Sequence, residues 1–333
     1  VVLRQAGREQ REGHSVRVIT LEEHFWTGAL RDANRTVLAG RQGGELADNL
    51  SDLGPRRLAD MDAAGIDVQV LSVLAPAAQE LDPKTSVALA RDANDRLAEA
   101  VAAHPDRFAG FAALPTPDPD AAAAELERSV TGLGFKGALI NGHTGGRFLD
   151  DPVFWPIFER AEALGVPVYL HPTYPTAQVM EAYYAGFEAP VSATLATAGW
   201  GWHAETGLHA LRLILGGVFD RFPDLQVIIG HMGENLPFSL ARADERLTPV
   251  ATSLKHRVAD YFHANFYITT SGYFTDPPLL CALAVVGADR IMFSVDYPFS
   301  RNTDGRAFLD GAPLSEEDRA KIAHGNAERL LGL

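Results

Sequence analysis

Eight short apolar runs, rich in β-branched residues, recur along this chain with helix-like stretches between them. They are Arg17–His24, Val68–Leu74, Phe108–Leu114, Gly137–Gly142, Pro167–Pro172, Gln226–His231, Phe266–Gly272 and Ile291–Asp296. Near-continuous apolar runs of this length fit strands buried on both faces, the habit of parallel sheets. The intervening Thr85–Ala103, Asp118–Thr131, Asp151–Leu164, Glu205–Phe219, Leu236–Leu247, Pro277–Val286 and Ser315–Leu331 read as helices. Asp-Pro openings, glycine closings and the acidic start at Ser315-Glu-Glu-Asp318 supply their boundaries. Strand followed by helix, eight times over, predicts a (β/α)8 TIM barrel. The competing architecture is a doubly wound open sheet. Its glycine-rich phosphate fingerprint is missing after the first strand, where Glu22-Glu23-His24 stands instead.

A length of 333 residues suits one such barrel or two average domains. The expected organisation is a single barrel over residues 16–333, preceded by a flexible extension, residues 1–15. With 29 Lys and Arg against 43 Asp and Glu, the chain carries a formal charge of −14. That excludes a nucleic-acid partner, because phosphate contacts need a basic surplus. The lone cysteine, Cys281, makes no internal disulfide, so the fold requires no oxidising compartment. No run approaches the roughly 18 apolar residues of a membrane-spanning helix, and Val1–Arg17 lacks the apolar core of a signal peptide. The expectation is a soluble, cytoplasmic protein with no membrane partner.

Chemistry gathers at the strand ends. Glu22 and His24 stand two apart on the first strand, so both side chains are expected on one face. His171 closes the fifth strand, His231 the sixth and Asp296 the eighth. Two imidazoles and two carboxylates, from Glu22, His24, His171 and Asp296, make a site for one divalent metal with open positions. Nitrogen and oxygen donors suit zinc or manganese, and Cys281, within a helix, takes no part. Each residue has a plainer reading. A strand-end histidine is commonly a hydrogen-bonded core residue, Glu22 and Glu23 can be loop carboxylates, and Asp296 can simply turn the chain before Tyr297-Pro298. The four together at one end of a barrel favour the metal. Two long connections, Phe25–Asp60 with Arg31, Arg35 and Arg41, and Thr173–His203 with five Tyr and Trp residues, are placed to build a substrate pocket. His143 and His203, in loops, stay open as pocket residues.

Several motifs together resemble the amidohydrolase-related decarboxylases, the branch with γ-resorcylate, 2,3-dihydroxybenzoate and aminocarboxymuconate semialdehyde decarboxylases. They are Leu21-Glu-Glu-His-Phe25, Tyr169-Leu-His-Pro172, Ile228-Ile-Gly-His-Met-Gly-Glu-Asn-Leu-Pro-Phe238, Phe293-Ser-Val-Asp-Tyr-Pro-Phe299 and the terminal Ile322-Ala-His-Gly-Asn-Ala-Glu-Arg-Leu330. The semialdehyde decarboxylases usually carry His-x-His at the first pair. Glu22-x-His24 is similar to the branch acting on hydroxylated benzoates.

The resemblance implies a barrel of the metal-dependent hydrolase type, with Glu22, His24, His171 and Asp296 as ligands of one zinc or manganese ion. It implies His231 and Glu234 as catalytic-site partners and Arg242 as a substrate-binding residue, often reaching from a neighbouring subunit. It further implies a homodimer or homotetramer acting on a small aromatic carboxylate. The expected reaction is non-oxidative decarboxylation, with carboxylate and ortho hydroxyl chelated by the metal and the ring carbon protonated by Asp296. The alternative is a lactonase or amidohydrolase using a metal-activated water on the same barrel.

Overall fold

The structure, a computed structural model, describes residues 16–38 and 43–333. The extension proposed for residues 1–15 lies outside them, as does Arg41. Nine parallel strand segments make the centre: β1 (Ile19–Phe25), β2 (Val68–Val73), β3 (Phe108–Gly110), β4 (Ala112–Ala113), β5 (Ala138–Asn141), β6 (Val168–His171), β7 (Val227–Ile229), β8 (Phe266–Thr269) and β9 (Ile291–Met292). Two ladders run β1-β2-β3 and β4 through β9 in chain order, every pair parallel. β3 and β4 are one predicted strand, Phe108–Leu114, interrupted at Phe111. There the amide of Phe111 still bonds to Leu71 of β2, while that of Ala112 turns to Gly137 beside β5. The eight expected runs are thus the eight staves of a (β/α)8 barrel.

Its closure is unusual at one place. Among the described residues β9 and β1 share no ladder. The seam is held by the His24 amide donating to the Tyr297 carbonyl at 2.7 Å, and by the Glu23 side chain, which accepts backbone N–H groups from the far side.

The strands carry two apolar faces because both are covered. Ile19, Leu21, Val70, Phe111, Leu139, Tyr169, Ile228 and Met292 fill the barrel interior, joined by Ala327 and Leu331 of the last helix. Phe25, Leu71, Ile140, Leu170, Ile229 and Phe293 face outward onto helix residues such as Leu97, Leu126, Ile157 and Leu213. Each buried aliphatic side chain of this kind stabilises the fold by about 1.5–3 kcal/mol. Asp82, Asp118 and Ser315 cap their helices by accepting the amide three residues on. The helix Pro119–Leu133 runs through Gly132 and stops at Gly134, whose φ of 74° is the left-handed closing conformation.

The two long connections are more ordered than their composition suggested. Between β1 and β2 lie helices Gly28–Ala33, Gly44–Ser51 and Pro55–Ala64, the last opening on a proline at its first position. The connection after β6 includes the helix Ala189–Ala196. The helix expected from Glu205 starts earlier, at Gly201, and breaks at Gly216-Gly217, so His203 is helical rather than in a loop. Helices Val258–Asn265 and Asn302–Gly311 carried no clear sequence signal. Among the described residues no helix is long and apolar enough to cross a membrane.

Candidate metal centre

β1 is bulged where the chemistry sits. Leu21 pairs with Val70 and Glu23 with Leu71, so Glu22 is the extra residue, in the left-handed conformation at φ 69°. Ile19 and Leu21 point into the barrel. Strict alternation would therefore send Glu22 and His24 outward. The bulge reverses this and turns the Glu-x-His pair inward, leaving Glu23 to face the seam. The expectation that both side chains share a face holds, and the bulge decides that this face is the interior.

Five side chains from four staves converge at the C-terminal end. Glu22 Oε1 lies 3.2 Å from His171 Nε2 and 3.6 Å from His231 Nε2. Asp296 Oδ1 lies 3.4 Å from His24 Nε2, and its Oδ2 lies 3.9 Å from His231 Nε2. The ligand atoms of Glu22, His24 and His171 all fall within 4.8 Å of one another. Donors bound about 2.1 Å from one ion stand roughly 3–4 Å apart, so the spacing fits a single metal. Glu22 Oε1 and His24 Nε2 are buried and have no hydrogen-bond partner, a condition that costs about 1–3 kcal/mol each unless an ion takes the lone pairs.

The far ends of these groups are fixed. His171 Nδ1–H donates to the Pro172 carbonyl at 2.7 Å, which leaves Nε2 a lone pair facing the centre. His24 Nδ1 meets the Ser72 hydroxyl at 3.2 Å. Glu22 Oε2 accepts from the hydroxyls of Tyr169 and Ser271, and Tyr169 also meets Thr269 at 2.7 Å. These hydroxyls leave Oε1 as the free oxygen.

His231 opens a tight turn after β7. His231, Met232, Glu234 and Asn235 all have positive φ, and Gly233 sits at 84°. Seven non-glycine residues among those described adopt positive φ, and Glu22, His231, Glu234 and Asp296 are four of them. Such conformations persist where the surroundings over-determine them, and they cluster at functional sites. The turn brings Glu234 Oε1 to 2.7 Å from His231 Nδ1, while Oε2 lies 2.7 Å from His203 Nδ1. His203 Nε2 in turn faces the Ala198 carbonyl at 3.1 Å.

The charges are mutually arranged. Burial pushes the Glu22 carboxyl up, but His231, His171 and His24 outweigh it and hold it well below the usual carboxylate range. Burial likewise raises Asp296, and the nearby His231 and His24 imidazoles more than offset it. Burial pulls His24 down. It also pulls on His231, yet the nearby Glu234 and Glu22 carboxylates raise that imidazole well above its ordinary value. Glu23 is different: burial pushes it up to about 8, against the Val295 and Tyr297 amides that favour its charged form.

The structure thus brings together Glu22, His24, His171, Asp296, His231 and Glu234. It does not bring Arg242 to them. That side chain is 63% exposed on the helix Leu236–Leu247 and pairs with Glu245 at 2.9 Å. Of the two histidines left open, His203 joins the cluster through Glu234. His143 lines a rim cavity of about 560 Å³ with Pro76, Glu80, Thr173 and Tyr174. A second cavity, about 500 Å³, opens beside His231, Phe238 and Tyr273. Sequence reasoning missed Asn141, whose buried side-chain amide has no partner and lies level with His171 in the β5–β6 register. A polar residue closing an otherwise apolar strand was its only signal.

The amidohydrolase family profile matches residues 21–333. A γ-resorcylate decarboxylase from Polaromonas sp. (strain JS666) is 42% identical over 328 residues, covering 95% of this chain and 98% of the relative. A crystal structure of dihydroxybenzoic acid decarboxylase from Polaromonas sp. JS666, with bound manganese and the inhibitor 2-nitroresorcinol, superposes with a TM-score of 0.88 at 42% identity, covering 95% of this chain and 97% of that one. A 2,6-dihydroxybenzoate decarboxylase complexed with 2,6-dihydroxybenzoate gives a TM-score of 0.88 at 41% identity over 95% of this chain and 99% of that one. With a parallel barrel, a bulged Glu-x-His strand and this likeness along nearly its whole length, the chain belongs to the amidohydrolase family, within its branch of aromatic-acid decarboxylases.

Proposed function

We propose that this enzyme is a metal-dependent, non-oxidative decarboxylase of a dihydroxybenzoate-type acid, with Glu22, His24, His171 and Asp296 as the metal ligands. The observation that carries the assignment is the convergence of those four groups, with two buried lone pairs left unpartnered among them. One divalent ion, manganese or zinc, fits the mixed nitrogen and oxygen set, and manganese is supported by the Polaromonas relative. When bound, the ion supplies Lewis-acid charge for a carboxylate and an adjacent phenol oxygen.

The protein's own residues manage the proton. Asp296, whose side chain is 19% exposed, carries a proton to the ring carbon that bears the carboxylate. Protonation there interrupts the aromatic ring. The carbon–carboxylate bond then breaks, its electron pair restores the ring, and carbon dioxide leaves. Asp296 rests ionised, so its proton must be delivered, and His231 stands 3.9 Å away with its charged form favoured by Glu234. Arg242 points away from its own cluster, so we assign it to the substrate carboxylate of a neighbouring copy in a homodimer or homotetramer.

The test is direct. Purified protein loaded with Mn²⁺ is offered 2,6- and 2,3-dihydroxybenzoate, and carbon dioxide and the dihydroxybenzene are measured. Decarboxylation that is lost on chelation and in Asp296→Asn, with metal retained in the variant, is the expected result. Normal turnover by Asp296→Asn would remove it as the proton carrier.

A further inference from the structure

β9 ends at Met292, and the chain from Phe293 to Tyr297 has no ladder partner on its β1 side among the described residues. Besides the His24 amide, which donates to the Tyr297 carbonyl, it is held there by one side chain. Glu23 Oε1 accepts the Val295 amide at 2.9 Å, and Oε2 accepts the Tyr297 amide at 3.0 Å. The Ser294 hydroxyl adds a contact to Oε1 at 3.4 Å. The two amides flank Asp296, so the carboxylate straddles that residue's backbone. Asp296 itself is left-handed, at φ 69°, a conformation that must be imposed from outside.

The clamp is braced from behind. The His24 amide donates to the Tyr297 carbonyl, and Arg57 donates to the His24 carbonyl at 2.6 Å while its guanidinium lies over the Tyr297 ring. Arg57 is wholly buried, and its hydrogen bonds go to Asp52, Gln69, His24 and Asn49 rather than to Glu23. Both Glu23 oxygens are therefore given to the segment carrying Asp296. Glu23 is 0% exposed, so water has no route to replace it.

We propose that Glu23 is a positioning residue that sets the place of Asp296 over the metal site by fixing the amides on either side of it. This rests on the reading of Asp296 as ligand and proton carrier. Glutamine would present one acceptor and turn its amide N–H₂ toward the second backbone N–H. Aspartate would keep a carboxyl group with both oxygens but fall one methylene short.

The experiment is a double-mutant cycle on Mn²⁺ affinity, followed by the electron paramagnetic resonance of free Mn²⁺, in wild type, Glu23→Gln, Asp296→Ala and the double variant. Glu23→Gln should weaken Mn²⁺ binding by about 10-fold or more, as loss of an outer partner does. The penalty should vanish in the Asp296→Ala background. Turnover should fall with KM little changed. An equal penalty in both backgrounds means that Glu23 acts through Glu22 and His24 or through general loosening, and overturns the proposal. Should Glu23→Gln not fold, Glu23→Asp takes its place in the cycle; failure of both to fold makes the role one of the fold alone and also overturns it. Asp296→Ala binding Mn²⁺ as tightly as wild type would instead sink Asp296 as a ligand. The clamp then stands on turnover, and full kcat in Glu23→Gln would overturn it.

Discussion

A β-carbon built on Gly230 would lie 2.5 Å from Oε2 of Glu22. That separation is inside any van der Waals contact, and Glu22 has nowhere to go, since Tyr169 and Ser271 hold the same oxygen from the barrel interior. The glycine before His231 therefore makes room for the Glu22 carboxylate of the proposed metal site. Gly230→Ala should lower Mn²⁺ affinity by about 10-fold or more, with a matching loss of activity at limiting metal that excess Mn²⁺ partly restores. Gly132→Ala is the control, because nothing lies within 4 Å of a β-carbon there and alanine suits a helix interior better. Unchanged Mn²⁺ affinity in Gly230→Ala would show that the Glu22 carboxylate does not bind the ion in this position.

Glu234 holds two imidazoles at once, at 2.7 Å each. Its negative charge is the leading cause keeping His231 protonated against burial. If His231 passes its proton toward Asp296, turnover declines as pH rises through the His231 pKa. Removing the Glu234 charge lowers that pKa. Glu234→Gln should therefore move the alkaline limb of kcat to lower pH and reduce the maximum by about 10- to 100-fold, with Mn²⁺ content unchanged. A kcat profile whose alkaline limb stays in place would separate His231 from the proton path.

Much of this was legible in the sequence, for a physical reason. Parallel strands buried on both faces must be apolar, so the polar residues that end them, Glu22, His24, His171, His231 and Asp296, stand out against the run. What was not legible depended on backbone detail. The bulge at Glu22 leaves no mark in composition, although it decides which of Glu22 and Glu23 faces the metal site. Glu23 read as a loop carboxylate because its partners are amides more than 270 residues away. His203 read as a loop residue because Gly201-Trp202 gives little helix signal, and only the folded turn at 231–235 brings Glu234 to it. Arg242 was singled out by motif alone, and one chain does not carry it to the cluster.

Asn141 leaves both polar atoms of its side chain buried and unpaired beside His171. An amide in that state destabilises the fold by about 1–3 kcal/mol, so its retention points to a bound partner, such as a ring hydroxyl or carboxylate of substrate. Asn141→Leu has nearly the same shape and no unmet hydrogen bonds. It should leave thermal stability equal or higher while raising KM about 10-fold or more with little change in Mn²⁺ affinity. A variant with unaltered KM would show that the amide does not touch substrate.

His209 is buried outside the cluster, where its Nε2 accepts the Leu149 amide at 2.9 Å. Burial, with His143 and Arg212 nearby, pulls its pKa down to about 3. The unfolded chain binds a proton on this residue near pH 6.5, while the folded chain resists until about 3. Stability from this residue is therefore complete above pH 6.5 and is lost as pH falls toward 3, by on the order of 2 kcal/mol at pH 4.5. His209→Gln keeps an acceptor within reach of the Leu149 amide and cannot titrate. Its melting temperature at pH 7 should lie at or below that of wild type, and its further fall between pH 7 and 4.5 should be smaller by a few degrees. Thermal unfolding at half-unit pH steps decides the matter, and parallel curves for the two proteins would mean that His209 does not limit acid stability.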